Sequence, residues 1–293
     1  MALRRIRVIG VASGYGAGIP DCQDGSEVLR ALHVLDDLAG AGSGLAWDEA
    51  LHLAPPVPAD PVEAVRQIAS ALAGRVAELR AVGDFPLVIG GDHSCAIGTW
   101  SGIRRGLDSG QRLGLVWVDA HMDSHTLESS PSHNIHGMPL ACLLGHGDPR
   151  LTGIAPAGAK LLPADVCLIG VRSFEVAEAA LLRELGVRVY FMDEVRQRGL
   201  PAVFAEALRR VAQDTFGYGI SIDLDALDPA EGPGVGTPVG GGLARAELAA
   251  ALALADGDER LLALEIVEYN PYRDEGFVTA GAIHDLCRSL IEI

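Results

Sequence analysis

Residues 112–123 read RLGLVWVDAHMD, and this stretch decides the fold. The run LGLVWV shows no polar alternation, as a strand buried on both faces requires. It breaks at once into Asp119, Ala120, His121, Met122 and Asp123, a polar cluster at the strand's carboxyl end. Strands of this kind belong to parallel sheets covered by helices, and ligands in such open sheets bind outside the strands' carboxyl ends.

The same form recurs in both directions along the chain. FPLVIG runs into Gly91, Asp92, His93 and Ser94. YGISI runs into Asp223, Leu224, Asp225 and, further on, Asp228; LLALEIV runs into Glu268, Tyr269, Asn270 and Pro271. The apolar runs predict strands at 5–12, 85–89, 112–118, 165–171, 187–192, 218–222 and 261–267. Apolar residues at three- and four-residue spacing predict helices at 61–82, 174–185, 201–214, 243–255 and 279–291. Strand and helix alternate, so the expected class is α/β, with a mostly parallel central sheet and helices on both faces. The stretch 41–60, with its APPVPAD, reads as an irregular loop inside one domain. The glycine-rich GPGVGTPVGGG (232–242) reads either as a flexible crossover or as backbone closing one wall of a site; it matches no phosphate-loop pattern.

Composition narrows the partners. The chain has 293 residues, is 49% hydrophobic and carries a formal charge of −16. That apolar content suits a large core and excludes disorder as the main state. The acidic balance gives no basic footprint for nucleic acid; the longest arginine run is LRRIR near the start. No stretch approaches the roughly 18 apolar residues of a membrane span. The start, MALRRIRVIGVASG, has the basic-apolar-small order of a signal peptide, but its apolar part is too short and reads as a first buried strand. The five cysteines include no CxxC pair and read as reduced thiols packed as small hydrophobes, in a cytoplasmic protein.

Residues two apart in an extended segment share a face, so Asp119, His121 and Asp123 are expected to project together, as are Asp223 and Asp225. Carboxylates crowded at one sheet edge repel and gain proton affinity unless cations compensate. Carboxylate oxygen with imidazole nitrogen, and no thiolate, suits Mn²⁺ or a similar ion. With His93 the donors are too many for one tetrahedral ion and fit two ions roughly 3.5–4 Å apart.

At these residues the chain resembles the arginase/agmatinase ureohydrolase family. The matching motifs are GGDHS (90–94), DAHMD (119–123), SIDLDALDP (221–229), GTPVGGG (236–242) and VEYNP (267–271), in family order. HNIHGMPLACLLGHG (133–147) resembles the arginase branch in particular. The resemblance implies a three-layer αβα sandwich, a single domain over 1–293, and a homotrimer or homohexamer. It implies two Mn²⁺ per subunit. His93, Asp119, Asp123 and Asp223 would hold one ion; Asp119, His121, Asp223 and Asp225 would hold the other, with Asp119 and Asp223 as bridges. The implied reaction is hydrolysis of a guanidino compound to urea and an amine, with L-arginine giving L-ornithine. Agmatine, guanidinobutyrate and hydroxyarginine are the alternative substrates. Water activated by the ions would attack the guanidinium carbon. Asp123 would hand a proton to the leaving amine, His136 resembles the family's proton-shuttling histidine, Glu268 would pair with the guanidinium, and Thr237 would line the pocket. Glu265 reads as structural or functional.

The far end of the substrate is where the chain departs from the arginase pattern. Ser132 and Asn134 match it, but His125 stands where arginases carry an asparagine, and His133 replaces a glycine. Glu175 stands where they use an aspartate to read the α-amino group, and Glu178 matches a second acid. His125 and His133 read equally as substrate contacts and as polar loop residues. Two other classes share parts of this pattern: a non-catalytic metal-binding regulator and a single-zinc deacylase. The complete set of ligand positions argues against both.

Overall fold

A computed structural model describes residues 5–40 and 44–290. Its centre is one eight-stranded sheet. The strands are β1 (Ile6–Gly10), β2 (Ala46–Trp47), β3 (Phe85–Ile89), β4 (Leu113–Val118), β5 (Val166–Val171), β6 (Arg188–Phe191), β7 (Gly217–Asp223) and β8 (Leu261–Val267). Their spatial order is β2-β1-β3-β8-β7-β4-β5-β6, and every pairing is parallel. The helices are α1 (Gly25–Ala31), α2 (Asp36–Gly40), α3 (Pro61–Ala81), α4 (Cys95–Arg105), α5 (Pro139–Leu143), α6 (Pro149–Thr152), α7 (Val176–Leu185), α8 (Met192–Arg198), α9 (Leu200–Ala212), α10 (Arg245–Leu252) and α11 (Val278–Arg288).

The expected double burial of β4 is met residue by residue. Val116 and Val118 pack into one core with Phe204 and Ala207 of α9, Leu248 of α10 and Ile283 of α11. Leu115 and Trp117 pack into the other with Ile68 and Leu72 of α3, Trp100 of α4 and Leu182 of α7. The result is the three-layer sandwich. Helix starts follow local chemistry. Asp60 caps α3, its Oδ1 accepting the Val62 amide at 3.1 Å, and Pro61 begins the first turn. Glu175 and Glu178 form a reciprocal capping box at the start of α7.

The order of strands places the site. From β3 the chain crosses to β4, three places along the sheet, and β8 and β7 later fill the two places between. The chain runs on from β4 to β5 but back from β7 to β8, so at the neighbours β4 and β7 the connections leave in opposite directions, a topological switch point where parallel sheets open a crevice. The four motif-bearing strands β3, β8, β7 and β4 are therefore consecutive neighbours, although their motifs are scattered along the chain.

Several elements differ from the sequence reading. Helix α4 was not expected because every residue from Cys95 to Ile103 is buried, which erases the amphipathic period. Helices α1, α2, α5, α6 and α8 and the two-residue strand β2, within the stretch read as a loop, also go beyond the expected elements. The expected helix at 174–185 begins only at Val176, because Glu175 is its cap. The expected strand at 187–192 gives up Met192 to α8. The stretch 243–255 divides into α10 and a 3-10 turn at Ala253–Ala255. Ile291, the expected end of the last helix, lies outside the described residues. Among the described residues, no helix is long and apolar enough to cross a membrane.

Candidate metal centre

The carboxyl ends of β3, β4 and β7 deliver two groups of side chains that share one member. In the first, His93 Nδ1 lies 3.0 Å from Asp123 Oδ2, 3.0 Å from Asp223 Oδ2 and 3.4 Å from Asp119 Oδ2. In the second, His121 Nδ1 lies 3.0 Å from Asp225 Oδ2 and 3.5 Å from Asp119 Oδ1. Asp119 thus turns a different oxygen toward each group. Asp223 joins the first group and not the second. Its Oδ1 accepts the Asp225 amide at 2.8 Å, while Oδ2 faces His93.

The route to this convergence is not the expected strand alternation. β4 ends at Val118, and Asp119–Asp123 is a turning segment in which Asp123 has a left-handed φ of 46°. Asp223 is the last residue of β7, and Asp225 sits in the 3-10 turn Leu224–Ala226. Turns rather than a continuing pleat aim the carboxylates inward.

Buried partners hold the donors in place. His93 Nε2 lies 3.1 Å from Ser221 Oγ, which donates to Glu265 Oε2 at 2.6 Å. Trp100 Nε1 donates to the same Glu265 oxygen at 3.1 Å, and the Thr99 hydroxyl donates to the other. With Nε2 carrying the proton toward Ser221, the His93 Nδ1 lone pair is free for a metal. The His93 ring stacks on Trp117, 4.1 Å between centroids, and Trp117 Nε1 donates to Asp119 Oδ2 at 2.8 Å. The His121 amide donates to Asp119 Oδ1 at 2.6 Å, and Thr237 Oγ1 donates to Asp225 Oδ2 at 3.0 Å. Arg172 ties the surrounding loops, donating to the carbonyls of Asp225 at 2.7 Å and Val239 at 2.8 Å. Ser221, Trp117 and Arg172 were not singled out from sequence. A serine within the otherwise apolar YGISI was the available signal.

The electrostatics call for a cation. Burial, then the Asp119 charge, pushes Asp123 up to about 6. Burial, with Asp225 and Asp119, raises Asp223 well above the carboxylate range. Burial would lower His93, but the three carboxylates around it carry it well upward. The cluster on its own therefore retains protons, and a divalent ion would take their place. The donors are all carboxylate oxygen or imidazole nitrogen, with no thiolate in either group, which fits a hard-to-borderline metal ion.

In front of these groups opens a cleft of about 630 Å³. His121, Asp123, Asp223 and Asp225 line it, together with Thr237, Ser132, Asn134, His136, His125, Glu175 and Glu178. Thr237 gives the loop at 232–242 its place as a wall. His136 Nδ1 lies 3.0 Å from Glu268 Oε1, which also accepts the His93 amide at 2.9 Å. Glu268 has a left-handed φ of 66° and is buried. Burial alone would lower His136; the Glu268 carboxylate outweighs it and lifts the imidazole to about 9. At the other end, His125 Nε2 lies 3.1 Å from Glu175 Oε2 and 3.4 Å from Glu178 Oε2, while its Nδ1 meets Ser129 Oγ at 3.0 Å. Burial, then Glu175, raises Glu178 to about 8. His133 is exposed, and its Nδ1 meets the Leu127 carbonyl at 3.1 Å. Glu265 belongs to the support beneath His93.

A carboxylate-imidazole cluster at the switch point of a parallel sheet defines a site able to hold metal ions. The chain belongs to the arginase family, whose model matches residues 4–292. It is 42% identical over 265 residues to an arginase of Bacillus caldovelox, covering 90% of this chain and 87% of that one. The crystal structure of Bacillus subtilis arginase superposes with a TM-score of 0.91 at 35% identity, covering 99% of each chain. That of Entamoeba histolytica arginase in complex with L-ornithine superposes with a TM-score of 0.90 at 29% identity, covering all of both.

Proposed function

We propose that the chain hydrolyses L-arginine to L-ornithine and urea at a centre holding two Mn²⁺ ions. The observation that carries this reading is the pair of donor groups joined by Asp119 at the floor of a cleft. His93, Asp119, Asp123 and Asp223 would hold one ion; His121, Asp225 and the second oxygen of Asp119 would hold the other. Asp223 would be the second shared ligand. The ions supply activation of a water molecule and stabilise charge developing at the guanidine carbon.

The protein's own groups then have distinct tasks. Glu268 pairs with the guanidinium, a planar cation that carboxylates recognise through charge-assisted hydrogen bonds. His136, held protonated by Glu268, would give the leaving amine a proton, and Asp123 would pass on the proton released by the attacking water. Thr237 fixes Asp225 and closes the wall. Ser132 and Asn134 meet the substrate carboxylate, and Glu175 and Glu178 meet the α-ammonium beside His125. The Entamoeba histolytica complex with L-ornithine supports an amino-acid end of this kind.

A second reading has one observation in its favour. His125 already occupies the acid pair, which suits a guanidino acid without an α-amino group, such as 4-guanidinobutyrate. Urea release from L-arginine, agmatine, 4-guanidinobutyrate and hydroxyarginine separates the two, with L-arginine expected to lead. Glu175→Gln is expected to raise KM for L-arginine about tenfold, the loss of one charge-assisted contact, and to leave 4-guanidinobutyrate unchanged. Equal effects on both would remove Glu175 from amine recognition. The same reading takes 1–293 as one catalytic domain that assembles as a homotrimer or homohexamer in the cytoplasm. The five free cysteines, all buried, accord with reducing surroundings.

A further inference from the structure

Cys22 is packed as the small hydrophobe expected of it, 2% exposed, but its sulfur has a specific neighbour. Across 246 residues of sequence, Cys22 Sγ donates to Glu268 Oε2 at 3.4 Å. The 3-10 turn Pro20–Asp24 that carries it is seated by close backbone approach at both ends. A Cβ on Gly14 would lie 2.4 Å from the Pro20 carbonyl oxygen, and one on Gly25 would lie 2.6 Å from that of Tyr269. Only glycine permits either approach, so the thiol is delivered to the end of β8 by the packing of the turn.

The two Glu268 oxygens are unequally used. Oε1 serves the His93 amide and the His136 ring. Oε2 faces Cys22, and a Cβ on Gly236 would come within 2.9 Å of it. Oε2 thus accepts from fewer donors than Oε1 and keeps acceptor capacity. Burial and the adjacent carboxylate keep the Cys22 thiol protonated, and so a donor.

We propose that Cys22 is a positioning residue for guanidinium recognition, its thiol fixing the plane of the Glu268 carboxylate through Oε2. This rests on the reading that Glu268 receives the guanidinium. Glu268 sits on left-handed backbone, which persists only where the surroundings hold it. Cys22 supplies the anchor that Oε1 contacts cannot. Contacts made equally to bound substrate and transition state move KM and leave kcat unchanged.

The test compares wild type, Cys22→Val and Cys22→Ser. Valine fills similar space without a donor, and serine retains one. Cys22→Val is expected to raise KM for L-arginine about three- to tenfold, the loss of one hydrogen bond, with kcat within about twofold. Cys22→Ser is expected to restore KM, and L-ornithine, which lacks the guanidine, should bind all three proteins alike. Metal content and the thermal midpoint, measured in parallel, report the fold. An unchanged KM in Cys22→Val, or equal weakening of L-arginine and L-ornithine, overturns the inference alone. A wild type inactive on L-arginine overturns the reading of the site, and the inference with it.

Discussion

Asp119→Ala is expected to reduce urea release about a thousandfold or more, since the nucleophile at neutral pH depends on the metal centre. Among the described residues, Asp119 is the one side chain that turns a separate oxygen to each donor group. Its loss takes a ligand from both ions at once, so bound metal should fall from two per chain to below one. Asp119 Oδ2 also accepts the Trp117 indole, and an orphaned buried donor costs about 1–3 kcal/mol. Asp119→Asn keeps an oxygen for that indole and separates the two effects. It should restore part of the thermal stability, the His121 amide still lacking its acceptor, without restoring metal or activity. Elemental analysis, melting curves and a urea assay on the two variants check this. Retention of two tightly bound ions by Asp119→Ala would contradict the shared-ligand arrangement.

His136→Asn is expected to lower kcat about a hundredfold, the usual scale of a lost proton-transfer group. Metal content should stay near normal, because His136 belongs to neither donor group. The pH profile adds a check on role. Glu268 raises His136 to about 9, so its donor form is present at neutral pH and is lost as pH climbs through that value. Wild-type kcat should fall on that alkaline side, and His136→Asn should lack the descent. An unchanged kcat, or a descent surviving in the variant, would assign the proton to another group. Asp123 is then the group nearest to hand.

Much of the site was legible because its residues follow buried strands. His93, Asp119, His121, Asp123, Asp223, Asp225 and Glu268 all stand at or just past an apolar run, where a parallel sheet presents ligands. What the local pattern could not carry was adjacency. Nothing in the periodicity of 85–89 or 261–267 says that β3 lies beside β8, and β8 beside β7. That order comes from packing over the whole chain. The backbone at Asp123 and Glu268 was hidden for a related reason: left-handed φ is usually signalled by glycine or asparagine, and neither stands there. Helix α4 vanished from the pattern because burial on all sides removes the polar face that reveals a helix. The contacts of His125 with Glu175, and of Cys22 with Glu268, span 50 and 246 residues, so no motif could register them.

The most direct test is a titration of metal-stripped protein with Mn²⁺, following bound ion and urea release from L-arginine in the same samples. Two donor groups joined by Asp119 call for about two ions per chain at saturation, with urea and L-ornithine appearing together as the second ion binds. Full activity at one ion per chain would contradict the two-ion centre. Two bound ions with no urea from L-arginine would contradict the assigned reaction.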